Sequence, residues 1–361
     1  MCAPAAHKPL VPLKIVHTSE PGPLLVGPSG LTMQGQTPSH KSREAVRKEI
    51  QSPVIINTGL RTDIPAFFAP WLVNRLREGF VLVRSPYAPH SVTRYRLHPD
   101  VVDVIGFCTK NPAPMLEHME LLKPYGQHWF VTITPYGREI EPNVPPKERV
   151  MEDFIRLSRI VGANSMGWRY DPIFVSDVYN VERHLAEFER MAQTLEGATH
   201  TCVISFIDLY EKVRRNFPEA REVPRADRIE LGSEMVRIAK KHGMVLRPCA
   251  EGDELAAYGA DTSGCMTIST YERAIGERLN APRSKPSRKE CACHLSADIG
   301  AYHTCMHLCR YCYANYDVET VKKNISLHDP SSPLLIGHLL PGDNVRSARQ
   351  ESWRERQISF L

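Results

Sequence analysis

From residue 53 onward, short runs of β-branched and aromatic residues alternate with longer runs whose apolar positions fall three and four apart. The short runs, at residues 54–56, 80–84, 102–107, 128–133, 166–169, 201–206 and 244–246, predict seven strands. The longer runs, at 66–78, 113–122, 147–161, 181–195 and 226–242, predict helices between them. A strand, helix, strand rhythm implies a parallel sheet, because a parallel crossover needs a connection long enough to hold a helix. The predicted fold is therefore α/β, a (β/α) barrel, TIM-like or partial, with its chemistry at the carboxyl ends of the strands. Those ends offer Arg61 and Asp63 after the first strand, and Thr109, Lys110 and Asn111 after the third. Thr134 follows the fourth, Arg169 and Asp171 the fifth, and Asp208 the sixth. Charged residues there also solvate loops or cap helices, and Asp63, just before Ile64 and Pro65, stands where an N-cap would.

The flanks read differently. Residues 1–50 carry seven of the 29 prolines and no sustained apolar period, which predicts a disordered Pro-rich extension. Residues 51–280 form the predicted barrel body. After Gly276 the chain turns basic and Pro-rich, with Arg283, Lys285, Arg288 and Lys289, and reads as a solvated loop. Residues 281–326 are a cysteine-rich segment predicted to complete the barrel with one more βα unit, an extended piece at 299–303 and a helix at 318–325. Residues 327–361, with Arg346, Arg349, Arg354 and Arg356, are a tail expected to pack on the body.

Composition narrows the functional classes. The 361 residues include 45 Lys and Arg against 41 Asp and Glu, a net charge of +4, too small a surplus to make phosphate-backbone binding the main design. No apolar run approaches the ~18 residues of a membrane span, and the start MCAPAAHKPL lacks the apolar stretch of a secretory signal. The expectation is a cytoplasmic protein with no membrane partner. In a reducing compartment ten cysteines serve metals more readily than disulfides. Cys2, Cys108 and Cys202 are scattered, whereas seven fall between Cys249 and Cys312. Cys108 and Cys202 lie within apolar strands and read as core.

Cys305, Cys309 and Cys312 are spaced C-x3-C-x2-C. One tight loop thus presents three thiolates and no fourth, which for a cubic 4Fe–4S cluster leaves one iron open to a small molecule. A structural zinc knuckle would need a fourth ligand such as His303 or His307. Cys249, Cys265, Cys291 and Cys293 match in number the four thiolates of a second, closed iron–sulfur cluster. A zinc site, a buried core thiol at Cys249, or a fourth ligand for the first cluster from the C-x-C pair are the alternatives.

The C-x3-C-x2-C loop, with Tyr311 just before its third cysteine, resembles the signature of radical S-adenosylmethionine (radical SAM) enzymes. RTDIPAFF (61–68), TKNPAP (109–114), WRYDPI (168–173), ISFIDLYEK (204–212), CAEGDEL (249–255), CACHLSADIG, AYHTCMHLCRYCYA and HDPSSPLLIG (328–337) together resemble domain of unknown function family 1848, whose members look like radical SAM proteins with the cysteine loop at the carboxyl end. That resemblance implies a 4Fe–4S cluster on Cys305, Cys309 and Cys312, S-adenosylmethionine as cofactor, and an electron donor such as flavodoxin or ferredoxin. Lys110, Arg169 and Asp171 are the candidate catalytic residues, and Tyr311, Asp63 and Arg61 the candidate cofactor contacts. Two features depart from ordinary radical SAM enzymes: the cysteine loop follows the other strands instead of the first, which implies a circular permutation, and no Gly-Gly-Glu run is present. Thr109 and Lys110 also resemble a strand end of radical DNA-lesion lyases, which makes a nucleic acid one substrate class. The rival readings are a non-enzymatic iron–sulfur redox carrier or sensor, its open iron filled by Cys291, Cys293 or a histidine, and a zinc-stabilised interaction module.

Overall fold

The computed structural model describes residues 54–282, 291–294 and 297–355. The predicted arm at 1–50, the basic residues Arg283, Lys285, Arg288 and Lys289, and Arg356 lie outside the described residues. Among those described, the strands in chain order are β1 (Ile55–Asn57), β2 (Phe80–Arg84), β3 (Ser91–Arg96), β4 (Val104–Thr109) and β5 (Gly126–Thr132). They continue with β6 (Met166–Ile173), β7 (Thr201–Phe206), β8 (Val245–Pro248), β9 (Ala297–Asp298) and β10 (Asn344–Ser347). Seven of them form one parallel sheet in the order β8-β7-β6-β5-β4-β1-β9. No ladder joins β8 to β9 among the described residues. The fold is thus mixed α/β, a seven-stranded parallel sheet flanked by helices and left unclosed by hydrogen bonds.

The apolar runs become central strands because both faces of a parallel sheet are covered. All six residues of β4 are buried. On β4 and β5, Phe107 stacks on Trp129 with ring centroids 3.7 Å apart, and Trp168 of β6 stacks on Phe188 of helix Val181–Thr194 at 4.7 Å. Each such ring removes enough apolar surface from water to contribute about 2 kcal/mol or more. The helix expected at 147–161 is Lys147–Val161, and those at 181–195 and 226–242 are Val181–Thr194 and Arg225–Lys241. Two expected helices are each broken in two. Residues 66–78 fall in Ile64–Phe67 and Ala69–Glu78, because Asp63 caps the first through Ala66 N at 3.0 Å and Pro70 opens the second. Residues 113–122 likewise fall in Ala113–Leu116 and Met119–Leu122.

One strand is misplaced by the sequence pattern. Residues 80–84 read as a member of the parallel set, but β2 pairs antiparallel with β3 in a separate three-stranded sheet ordered β10-β3-β2. The connection between β2 and β3 spans only 85–90, too short for the crossover that parallel neighbours require. The alternating Ser91–Arg96 run that partners it was missed because its burial is partial along its length. The extended piece expected at 299–303 is instead β9, which ends where Gly300 N donates to the Asp298 side chain at 3.0 Å.

β9 pairs with β1, Ile56 opposite Ala297 and Asn57 opposite Asp298. The last strand of the parallel sheet therefore lies beside its first, and the loop after β9 opens at the same edge as the loops after β1 and β4. Gly59 serves this junction directly: a Cβ there would stand 2.0 Å from the Cys108 carbonyl oxygen, so only glycine lets the exit of β1 lie against β4. The tail runs back over the body. Trp71 Nε1 and Arg75 Nη2 donate to the carbonyls of Ser332 and Ser331, each at 2.9 Å. Farther on, Trp353 N donates to the Asp103 carboxylate at 2.7 Å. No helix among the described residues is long and apolar enough to cross a membrane.

Candidate functional site

The loop after β9 holds the C-x3-C-x2-C motif in a tight fold. His303 and Leu308 adopt left-handed backbone angles, φ 60° and 56°, a conformation that costs a non-glycine residue roughly 1 kcal/mol or more. Cys312 N donates to the Cys309 carbonyl at 3.0 Å, and Asn315 Nδ2 to the Cys305 carbonyl at 2.8 Å. The result is that Cys305, Cys309 and Cys312 line one pocket together with Asp63, Thr109 and Lys110. Thiols from one loop and polar groups from the ends of β1 and β4 thus share a wall. Cys108, expected to be core, is buried but borders the same pocket.

Two carboxylates that reach across from other strands hold the cysteine loop. Asp63 accepts from Ala66 N, from Lys110 N at 2.7 Å and from the His307 ring at 2.9 Å, tying the loops of β1, β4 and β9 together. Glu141, in the loop after β5, accepts from Lys110 Nζ at 2.8 Å, from Thr134 Oγ1 at 2.7 Å and from the Tyr311 hydroxyl. Glu141 was not among the expected site residues, and nothing in the local run REIEP sets it apart from a solvated loop glutamate. Arg61 supports the start of the same loop, with its guanidinium against the Gly300 carbonyl at 3.5 Å and the Asp298 carboxylate at 3.8 Å.

Electrostatics in the pocket favour a buried, charge-matched interior. Burial pushes up the thiols of Cys305, Cys309 and Cys312, and at Cys309 the Lys110 ammonium opposes it. A metal bound by these thiols would have to displace their protons. Burial also works against the charge of Lys110, yet Glu141 and Cys309 hold its pKa above the ordinary lysine value. Lys110 is thus ionised and already bonded within the protein. Arg169 and Asp171 stand two apart on β6, so their side chains share a face. They form a fully buried pair at 2.5 Å.

The other four cysteines gather elsewhere. Cys265 Sγ lies 3.6 Å from Cys249 Sγ and 3.4 Å from Cys293 Sγ, and Cys291 is buried in the same apolar cluster. Arg169 Nη1 points to Cys265 Sγ at 3.9 Å, so the guanidinium serves this group as well as Asp171. Among the described residues no group of three or more His, Cys, Asp or Glu side chains already stands in metal-holding geometry. The Cys265 sulfur is in contact with those of both Cys249 and Cys293.

A larger polar cavity of about 540 Å³ opens at the ends of β7 and β8, with Asp208, Arg214, Arg228 and Glu251 on its wall. Burial, against the pull of the Phe206 N–H donated to it at 2.8 Å, pushes the Glu251 carboxyl up to about 7. The folded chain therefore keeps a proton that the unfolded chain loses near 4.5, and this contribution to stability falls as pH rises from 4.5 to 7 and is flat above. Glu251→Gln lacks the titration but keeps an acceptor for Phe206 N. Its stability relative to wild type should rise by about 3 kcal/mol at most between pH 4.5 and 8, read by denaturant melts at each pH. A difference that stays constant across the window would show that Glu251 ionises as an exposed carboxyl does.

Together these features define an α/β protein whose parallel sheet carries a three-cysteine pocket at the carboxyl ends of its strands. The chain belongs to the family described as Domain of unknown function (DUF1848), whose match covers residues 55–314 and so includes the sheet and the whole cysteine loop. No curated protein matches the chain.

Proposed function

We propose that this protein is a radical SAM-type iron–sulfur enzyme built on most of a (β/α) barrel, permuted so that β9 takes the place usually held by the first strand. The observation that carries the reading is the convergence of Cys305, Cys309 and Cys312 on one buried pocket beside the strand ends that bear Asp63, Thr109 and Lys110. The pairing of β9 with β1 supports the permutation. The donor set fits the group: three thiols from one loop, enclosed by protein, suit a cubic 4Fe–4S cluster with one iron left for a small molecule. When bound, such a cluster supplies a low-potential electron for reductive cleavage of the S-adenosylmethionine sulfonium.

The chain's own residues have the tasks of holding and shielding. Asp63 and Glu141 fix the cysteine loop at two points, through His307 and Tyr311. Lys110 favours the ionised form of Cys309. The enclosing strands and loop would limit the access of water to the pocket. The polar cavity beside Arg214, Arg228 and Glu251 is the site we assign to the substrate's polar groups, and an electron donor such as flavodoxin or ferredoxin is the partner the reaction requires.

The test is anaerobic reconstitution with iron and sulfide, reduction with dithionite, and addition of S-adenosylmethionine. A changed electron paramagnetic resonance spectrum and slow release of 5'-deoxyadenosine are expected. An unchanged spectrum with no nucleoside from fully loaded protein would reject the enzyme reading. One observation favours a carrier instead: Cys108 borders the same pocket and would close the cluster as a fourth thiolate. In that case Cys108→Ala, and not wild type, would respond to S-adenosylmethionine. Cys291 and Cys293, the fourth ligands considered from sequence, belong to the group around Cys265.

A further inference from the structure

We infer that Cys249, Cys265, Cys291 and Cys293 form a closed tetrathiolate site for a single divalent ion of zinc type, separate from the C-x3-C-x2-C pocket and independent of the radical-enzyme reading. Four cysteines reach one buried cluster from three separate stretches of chain: the end of β8, the loop before helix Ile268–Ile275, and the segment leading to β9. Chance packing of small apolar side chains explains one or two buried thiols. It does not explain Cys265 with a second sulfur at 3.4 Å and a third at 3.6 Å.

Distance selects the occupant. A zinc–sulfur bond of about 2.3 Å sets the sulfur–sulfur edge of a tetrahedron at about 3.8 Å. The observed contacts fall a few tenths of an ångström inside that edge, so small side-chain rotations would admit one ion. A cubane places whole iron corners between its thiolates and would require the backbone segments to part. They are pinned together: His294 N donates to the Met266 carbonyl at 2.8 Å. At Gly264, φ +106°, a Cβ would meet the Cβ of Ala292 at 2.9 Å, so the two cysteine-bearing segments lie in contact with no slack. Four thiolates around a divalent ion leave a double negative charge. Two buried guanidiniums lie beside it, each also paired with a carboxylate: Arg169, on Asp171 and 3.9 Å from Cys265 Sγ, and Arg247, on Asp261 at 2.6 Å, whose Nη1 holds the Gly264 carbonyl at 2.8 Å. N–H donors to ligand sulfur are the outer-shell contacts that tune and stabilise such sites. The ion would tie β8 to the segment that delivers β9, the two edge strands of the sheet.

The test uses the full chain with Cys305, Cys309 and Cys312 all replaced by Ser, which removes the first pocket from the measurement. Anaerobic titration with Co(II) should give about one equivalent bound, with thiolate-to-cobalt charge-transfer bands and tetrahedral ligand-field absorption, displaced by Zn(II). Adding Cys265→Ser should weaken binding at least tenfold, and adding Cys293→His, which replaces one sulfur ligand with an imidazole nitrogen, should retain a tetrahedral ion with altered bands. Absence of the bands from a variant whose circular dichroism matches wild type would overturn the inference. So would bands that persist in Cys265→Ser, or uptake of about four irons per chain on reconstitution, which would mean a second cubane. Should the triple variant not fold, zinc content decides on chains purified without added metal. About one zinc in wild type and in Cys309→Ala but none in Cys265→Ser supports the site, and equal zinc in all three, or none in any, rejects it.

Discussion

Cys309→Ala, reconstituted anaerobically beside wild type, is expected to lose most of the iron bound at the first pocket, together with its reduced-state resonance signal and all 5'-deoxyadenosine production. Cys309 contributes one of three thiolates from a loop that offers no substitute, and a cubane missing one of three protein ligands does not persist. Lys110 also favours the ionised form of its sulfur, as it does that of Cys312. Wild type should carry about four irons at this pocket, and the variant a small fraction of that. Iron retained at the wild-type level with an unaltered signal would show that the cluster sits elsewhere, and the proposed function would fall with it.

The second large effect concerns the buried cation and carboxylate behind the cysteine loop. Lys110→Met should destabilise the fold by about 3–5 kcal/mol, because it leaves Glu141 buried without its cation. Lys110 and Glu141 are both almost wholly enclosed and bonded at 2.8 Å. The double variant Lys110→Met, Glu141→Gln removes both charges and keeps an amide that can still meet Thr134 and Tyr311. It should recover part of the loss, with a coupling of about 1–3 kcal/mol in denaturant melts at neutral pH. Equal losses that simply add would mean that the two groups are solvated separately. The same double variant tests the loop: if the Glu141 to Tyr311 contact positions it, iron loading should be lower in Glu141→Leu than in the double variant.

Much of the fold was legible because its strongest determinants are local. The helices at Lys147–Val161, Val181–Thr194 and Arg225–Lys241 follow from apolar spacing. Proline and capping residues decided the rest more finely than periodicity does, as the split at Phe68 shows. β2 could not be assigned to its own sheet from its residues, since FVLVR suits a central strand of either sheet. The length of the turn after it carried the answer. The site was legible in the same partial way. Spacing alone singled out Cys305, Cys309 and Cys312, but the partners that hold their loop, Asp63 and Glu141, lie 244 and 170 residues away from His307 and Tyr311. No local pattern records such a contact.

Lys110, Arg169 and Asp171 show the limit most clearly. At the level of sequence they are polar groups at strand ends, offered to a ligand by the geometry of parallel sheets. In the folded chain each has a protein partner, Glu141 for Lys110 and the mutual pair for Arg169 and Asp171. The sequence by itself determined the α/β class, most of the parallel strands, the three long helices and the two groups of cysteines, because hydrophobic period and residue spacing act over a few turns of chain. Only the tertiary structure decided that β9 returns beside β1, that Cys265 meets both Cys249 and Cys293, and that the strand-end charges are matched. Those outcomes depend on backbone pairing and burial between segments far apart in sequence, where small differences in packing, and not local preference, choose the neighbour.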